Sequence, residues 1–310
     1  MPTIWNLPNF AGELYTADST NTPLLTMIGG LSGGKRTTNF EFPTASQYAL
    51  PGAAQPAITE TASLTAPASA NVTRAQVTNV CQIHQEVIDL SYVKTSNLGR
   101  MTGLNTAGDV NNAPDELAFQ QARKLEKIAR DVEFSFVQGT YALAANAGEA
   151  NRTRGLVEVT ALGGGTAVNG AGALLDLAVM QNFFLTMYNN GAIFSNLVLY
   201  VSGAVKQRLS AIYGFAPQDR VVGGVNIQQL ETDFGNVGIV ISRFAPALEV
   251  LAVEMTVVDI VFQEVPNKGI LFYEELAKIG ASERGMMFGQ IGFDHGPAFA
   301  HGRLSNIVLA

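Results

Sequence analysis

The longest regular pattern of apolar and polar positions runs from Asn112 to Ala147. Apolar residues recur there at alternating steps of three and four, which is the spacing of one apolar stripe on a helix. Asn112 can cap the start, and Gly148 stands where glycine commonly ends a helix. The pattern predicts a helix over 112–147, on the order of 50 Å long at 1.5 Å per residue. The stripe consists of Ala118, Ala122, Leu125, Ala129, Val132, Phe136 and Leu143.

Two segments before this helix have the composition of strands. Thr37–Phe42 and Val72–Val93 are rich in Thr, Val, Ile and aromatic residues, with partial alternation. The stretch 43–71 between them consists largely of Ala, Thr, Ser and Pro, with Glu60 as its only charge. Such a stretch cannot form a core of its own. We therefore expect a long hairpin that projects from the body and is supported by another surface.

The remaining segments predict a mixed architecture. Residues 1–36 contain scattered apolar positions among Pro and Gly, which is typical of an arm, with a short helix possible over 9–15. A second helix is predicted over 174–190. From 196 onward strand and helix patterns alternate, which indicates a compact α/β or α+β unit. Residues 254–307 are mostly strand-like.

Composition narrows the class of protein. An apolar content of 47% over 310 residues is ample for a core, and the net charge of −7 argues against a protein that grips nucleic acid by its phosphates. The single cysteine, Cys81, excludes an internal disulfide framework and suggests a reducing compartment. We recognise no signal peptide and no apolar stretch long enough for a membrane span.

A glycine–lysine run over 29–35 has the spacing of a phosphate-binding loop. However, Arg36 stands where Ser or Thr should hold magnesium, and a strand pattern follows where a helix is needed. A flexible hinge is the favoured interpretation.

Few residues suggest catalytic or metal chemistry. Cys81 and His84 have the spacing of two zinc ligands, but a zinc site needs three or four, so a polar strand face is favoured. His295 and His301 could pair with Asp294 in an acid–base or metal site, although packing in turns and strands is the default. We predict no catalytic residue, no metal site and no cofactor.

Several runs of sequence carry a family resemblance. PNFAGELYTADSTNTPLLTMIGG, LPGAAQPAITETASLTAP, QIHQEVIDLSYVKTS, GLNTAGDVNNAPDELAFQQARKLEKIARDVEFSF and NRTRGL fall within residues 8–155, and IGFDHGPAFAHGRLSNI closes the chain. These runs resemble the major capsid proteins of tailed bacteriophages with the Hong Kong 97-type fold, in a subgroup without a large N-terminal propiece.

The resemblance implies an α+β fold and a division of the chain into regions. These would be an N-terminal arm (1–36), an extended loop (37–95), a peripheral domain (96–164 and 256–310) containing the spine helix (112–147), and an axial domain (165–255). The candidate assembly contacts are Tyr48, Leu50 and Pro51 in the loop and Arg123, Lys127 and Arg130 on the helix.

The implied function is structural, not enzymatic. Copies of the chain would form pentamers and hexamers in the virion and enclose double-stranded DNA without sequence-specific binding. The expected partners are a portal protein and possible separate scaffolding and decoration proteins, with no membrane. No lysine lies between Lys35 and Lys94, so the loop crosslink of the fold's type member is not expected. The alternatives are an encapsulin-like compartment and, from another class, an α/β enzyme using the His295–His301 region.

Overall fold

Two β-sheets meet along one long helix in the computed structural model, which describes residues 21–48, 52–69, 71–93, 116–213, 218–222 and 225–309. The helices are α1 (Pro23–Met27), α2 (Glu60–Ser63), α3 (Glu116–Gln138), α4 (Leu156–Val159), α5 (Leu177–Asn189) and α6 (Gly203–Tyr213), with a 3₁₀ turn at Ala298–Ala300. The strands are β1 (Lys35–Thr37), β2 (Glu41–Tyr48), β3 (Arg74–Val80), β4 (Gln82–Ser91), β5 (Thr166–Asn169), β6 (Leu197–Val201), β7 (Gln218–Val222), β8 (Val225–Thr232), β9 (Gly235–Ile241), β10 (Val250–Glu254), β11 (Asp259–Gln263), β12 (Leu271–Glu275), β13 (Ser282–Asp294) and β14 (Gly302–Ser305).

The long helix α3 is the predicted spine helix, but it ends at Gln138 rather than Ala147. Gly139 follows the helix at a crowded site, where a Cβ would lie 2.2 Å from the carbonyl oxygen of Ser135 and 2.6 Å from that of Thr153. The chain reverses here, and a bridge between Ala142 and Arg152 closes the return. The predicted helix over 112–147 is therefore wrong for residues 139–147. Its first four residues, 112–115, lie outside the described residues.

The predicted apolar stripe on α3 is only partly right. Val132 and Phe136 are fully buried, whereas Leu125 and Leu143 are each about two-fifths exposed. The buried half of the helix lies between the two sheets, where Phe136 stacks on Phe293 with ring centroids 4.7 Å apart. The half nearer its start is more exposed, and its alanines at 118 and 122 are among the exposed residues.

The seven-stranded sheet has the order β5-β14-β10-β6-β9-β8-β7. Its central strands β6 and β10 are buried on both faces, which is why they read as continuous apolar runs. Val198 and Tyr200 face the core shared with α3, while Leu199 faces the core formed with α5 and α6. The predicted helix over 174–190 is α5, whose first turn is capped by Asp176 through a 2.8 Å bond from the amide of Val179.

The five-stranded sheet is built on β13. One edge of β13 pairs with β4, and the other pairs first with β12 and then with β11, which in turn pairs in parallel with β1. The predicted strand 72–93 is thus two strands, because β3 pairs with β2 in the hairpin and β4 joins this sheet. The change of partner falls at Cys81, whose amide donates to the carbonyl oxygen of Phe40 at 2.7 Å.

Both ends of the chain differ from expectation. Leu24 and Leu25 of α1 are buried in the main core, so part of the region predicted as an arm packs into the body of the subunit. The possible helix over 9–15 lies outside the described residues. Strand β14, near the end of the chain, joins the seven-stranded sheet rather than returning with β11, β12 and β13 to the five-stranded one.

Candidate assembly surfaces

The hairpin formed by β2 and β3 ends in a segment that no other described residue covers. The two strands pair from Glu41 and Val80 to Tyr48 and Arg74, with an irregularity between Pro43 and Ala45. Beyond them, every described residue of 52–69 is exposed. The largest apolar side chains of that stretch, Ile58 and Leu64, are 71% and 83% exposed. Projecting apolar side chains of this kind are typical of a segment that docks on another protein.

A cleft separates the base of the hairpin from the body. It has a volume of about 930 Å³ and lies between Thr44 and Tyr48 on one side and Asn190, Pro297 and Phe299 on the other. Tyr48, a predicted assembly contact, is 60% exposed at its rim. Leu50 and Pro51, the other two candidates in the loop, lie outside the described residues.

The charged face of α3 is largely paired within the subunit. Lys124 and Lys127 both donate to the carboxylate of Glu86 on β4, the former at 2.8 Å, and Arg123 pairs with Glu126 at 2.8 Å. Partial burial acts to raise the pKa of Glu86, but the two lysines outweigh it and hold that pKa below its usual value. The hydrogen bond to Glu86 likewise raises the pKa of Lys127.

This pairing changes the interpretation of the helix face. Among the predicted contacts there, Arg123 and Lys127 have carboxylate partners in their own subunit, and Arg130 is half-buried on the same helix. The face is therefore less available to DNA phosphates than its sequence suggests, because phosphate binding needs clustered cations. That these three residues contact neighbouring subunits stays a prediction.

One carboxylate on α3, that of Glu133, is buried, which the sequence did not predict. Glu133 is fully buried, and its two oxygens accept the amides of Leu24 at 3.1 Å and Leu25 at 2.8 Å. The hydroxyl of Tyr200 on β6 donates a third hydrogen bond to it. Burial raises the pKa of Glu133, against the opposing effect of these bonds. Burial and the neighbouring carboxyl group also raise the pKa of Tyr200.

The histidines near the end of the chain are structural. His301 is fully buried, with Nε2 2.6 Å from the carbonyl oxygen of His295, and its Nδ1 accepts the amide of Glu254 at 3.3 Å. His295 contacts the carbonyl oxygen of Gly296 at 2.7 Å and the hydroxyl of Thr44 at 3.3 Å. Burial lowers the pKa of both imidazoles to about 4. Both rings thus serve packing and backbone contacts, as the default interpretation expects.

The glycine–lysine run and Cys81 also have structural surroundings rather than those of a functional site. Lys35 donates to Asp294 at 2.6 Å and begins a strand, so the glycine run before it does not have the geometry of a phosphate-binding loop. Cys81 is buried, and desolvation raises the pKa of its thiol to about 12. Among the residues described, no group of three or more His, Cys, Asp or Glu side chains is placed to hold a metal ion. In the same part of the chain, no helix is long and apolar enough to cross a membrane.

A long helix between two sheets, with an extended hairpin projecting beside it, is the architecture of the Hong Kong 97-type capsid fold. The capsid asymmetric unit of cyanophage A-1(L) superposes with a TM-score of 0.67, at 11% identity, covering 99% of this chain and 98% of that one. The capsid of an empty GTA particle matches with a TM-score of 0.58, at 14% identity, covering 98% and 95% of the two chains. These likenesses establish the fold.

The family follows from the sequence itself. The model described as SU10 major capsid protein matches residues 1–308, and the chain belongs to that family. No curated protein matches the sequence significantly. The chain is therefore a major capsid protein, a structural component of the virion, and the predictions of fold, family and non-enzymatic role are confirmed.

Membership of this family also bears on the encapsulin alternative. An encapsulin complex from Synechococcus elongatus matches with a TM-score of 0.52, at 12% identity, covering 96% of this chain and 92% of that one. The fold is thus common to phage shells and encapsulins, and it is the family match that separates them.

Proposed function

We propose that copies of this chain assemble as pentamers and hexamers into the icosahedral head shell of a tailed phage, around packaged double-stranded DNA. The observation that carries the proposal is the match to a major capsid protein family over residues 1–308. The projecting hairpin supports it independently, because its end carries exposed apolar side chains of the kind that mark a surface for contact with another protein.

In this assembly the hairpin β2–β3 lies over the adjacent subunit. Ile58 and Leu64, which are exposed in one subunit, then lose their contact with water, and burial of apolar surface contributes roughly 25 cal/mol per Å². The seven-stranded sheet with α5 and α6 forms the axial domain, whose loops meet at the symmetry axes. The five-stranded sheet and α3 form the peripheral domain. Residues 1–36 serve as the arm.

Shell cohesion is non-covalent in this proposal. The described part of the hairpin has no lysine, in keeping with the absence of lysine between Lys35 and Lys94. Stability comes instead from overlap of hairpins, buried apolar area and, where present, a separate decoration protein. A separate scaffolding protein and a portal protein are the other partners that we propose.

The shell encloses DNA without reading its sequence. The chain has a net charge of −7, and Lys124 and Lys127 on the helix face pair with the carboxylates of Glu86 and Asp131. A helix face whose lysines are already paired within the subunit contains DNA rather than gripping its phosphates.

Two measurements test the proposal. Purified protein is examined by negative-stain electron microscopy under a range of salt and pH conditions, and closed shells are the expected result. Tailed particles are then isolated from lysed host cells, and mass spectrometry is expected to find this chain as their most abundant protein. A chain that stays monomeric throughout, or that is absent from such particles, contradicts the proposal.

A further inference from the structure

A groove runs between the edge of strand β4 and helix α3. It has a volume of about 430 Å³ and is lined by five consecutive strand residues, 82–86, and by helix residues that include Lys127, Asp131 and Phe134. Consecutive strand residues point to opposite faces of a sheet. Because residues of both faces line the groove, it follows the backbone edge of the strand rather than one of its faces.

That edge is open in the described part of the chain. Strand β4 pairs with β13 on one side, through residues 82–91, and has no second strand partner among the described residues. Every other residue of such an edge directs its amide and carbonyl groups away from the sheet, and these groups are a template for another strand.

A buried side chain in the groove also lacks a partner. His84 is 6% exposed, and within the described residues its Nε2 has no hydrogen-bond partner. Burial lowers the pKa of this imidazole to about 4, so the ring is neutral at neutral pH. A buried polar atom without a partner is costly, and a hydrogen-bonding group placed in the groove would remove the cost.

The charges around the groove indicate the kind of occupant. Glu86 and Asp131 are balanced by Lys127 and Arg152, and Lys127 contacts both carboxylates. Such a balanced lining disfavours a polyanion, which needs unpaired cations. It suits an uncharged segment of polypeptide instead.

Two apolar side chains complete the surface. Ile83 on the strand is 59% exposed and Phe134 on the helix is 50% exposed, and both line the groove. An apolar side chain of the occupant can lie between them while its backbone pairs with β4. Together the open edge, the unpartnered imidazole and the apolar pair match strand addition, in which the main chain supplies affinity and side-chain pockets supply specificity.

We propose that this groove receives an uncharged, extended segment from a second copy of the chain, which pairs with the edge of β4 and supplies the hydrogen-bond partner of His84. The second copy is the occupant because the chain belongs to a capsid family and only 15% of its residues are charged. The inference rests on the proposed assembly into shells and adds to it the site at which one subunit receives another.

Hydrogen exchange tests the pairing directly. The peptide spanning residues 82–86 is compared between wild-type shells and unassembled subunits. We expect its slowest edge amides to exchange at least about tenfold more slowly in shells, a factor that corresponds to 1.4 kcal/mol. Unchanged exchange at 82–86 in well-formed shells overturns this inference alone, whereas a failure of wild-type protein to form shells contradicts the proposed function beneath it.

A cross-link identifies the occupant. Phe134→Cys places a thiol at the groove, while native Cys81 is buried with its pKa raised to about 12 and stays unlabelled. A thiol-linked benzophenone is attached, shells are assembled from a mixture of light and isotopically heavy copies, and cross-linked peptides are sequenced. Light–heavy pairs support the proposal. Cross-links confined to one chain, or to packaged DNA, overturn it.

A charge in the groove provides the functional test. Ile83→Glu is expected to lower the yield of shells at least about tenfold, with unchanged thermal unfolding of the subunit, because the side chain is already 59% exposed. Ile279→Glu is the matched control, since Ile279 is 79% exposed and lies outside the groove. Normal shells from Ile83→Glu, or equal loss in both variants, would show that the groove is not the receiving site.

Discussion

Glu133, near the C-terminal end of the long helix, accepts a hydrogen bond from the hydroxyl of Tyr200, on a central strand of the seven-stranded sheet. The same carboxyl group accepts the amides of Leu24 and Leu25, which begin the short helix near the start of the chain. One side chain therefore joins the N-terminal segment, the long helix and the seven-stranded sheet. Because the group is fully buried, its partners have no water to replace it.

Removal of this carboxyl group should destabilise the subunit strongly. Glu133→Ala leaves the buried amides of Leu24 and Leu25 without their carboxylate partner and removes one hydrogen bond from the hydroxyl of Tyr200. Each buried group left without a partner costs about 1–3 kcal/mol. We expect a loss of about 3 kcal/mol or more in the free energy of unfolding, measured by urea denaturation of unassembled subunits. Glu126→Ala, at a more exposed position of the same helix, is the control and should change stability little.

The free energy of unfolding should depend on pH partly through the imidazole of His84. Burial lowers the pKa of its imidazole from 6.5 to about 4, so between these values the unfolded chain binds more protons than the folded one. The stabilisation is complete above pH 6.5 and is lost as the pH falls toward 4. We expect His84→Gln to flatten the decline in unfolding free energy over this range, by up to about 1.4 kcal/mol per pH unit. If the unfolding free energy declined with pH equally in the wild-type protein and in His84→Gln, the lowered pKa of His84 would be refuted.

Contacts between segments that are far apart along the chain could not be predicted from the sequence. Val132 and Phe136 follow helical spacing, so the buried face of the spine helix was predictable near its centre. Glu133 looks like an ordinary solvent-facing charge, because its partners Leu24 and Tyr200 lie 109 and 67 residues away along the chain. The pairing of β4 with β13 is likewise non-local, and so the strand predicted over 72–93 was not divided.

The end of the spine helix was missed for a related reason. Glycine inside a helical pattern is tolerated at a modest cost, so Gly139 alone did not predict a stop. Its role depends on the return of the chain, which brings the carbonyl oxygen of Thr153 within 2.6 Å of the position a Cβ would take. That approach is a property of the tertiary structure.

Gly139→Ala should therefore be poorly tolerated. The added methyl group would overlap backbone oxygens of Ser135 and Thr153, and backbone can move only by distorting the helix end. We expect a loss of about 2 kcal/mol or more, in the range found for overpacked sites. Gly148→Ala is the matched control, because its nearest contact is a side-chain atom of Asn146 at 3.2 Å. Equal stability of the two variants in urea denaturation would argue against the crowded turn.

A substitution at the end of the hairpin should prevent assembly without affecting the folding of the subunit. Ile58 is 71% exposed in the subunit, so Ile58→Asp is expected to leave thermal unfolding unchanged. In a shell, however, the carboxylate would have to lose its hydration against a neighbour, which costs several kcal/mol. We expect subunits that fold but do not form shells, as seen by electron microscopy and sedimentation. Wild-type yields of shells from this variant would show that the hairpin end is not buried on assembly.

The central claim is that this chain builds a closed shell in which each hairpin covers a neighbour. Electron cryomicroscopy of the assembled wild-type protein tests it most directly. The account predicts an icosahedral particle with both five-fold and six-fold clusters of subunits, and with Ile58 and Leu64 buried against an adjacent copy. A chain that remains monomeric, or a shell in which both side chains still face solvent, would contradict it.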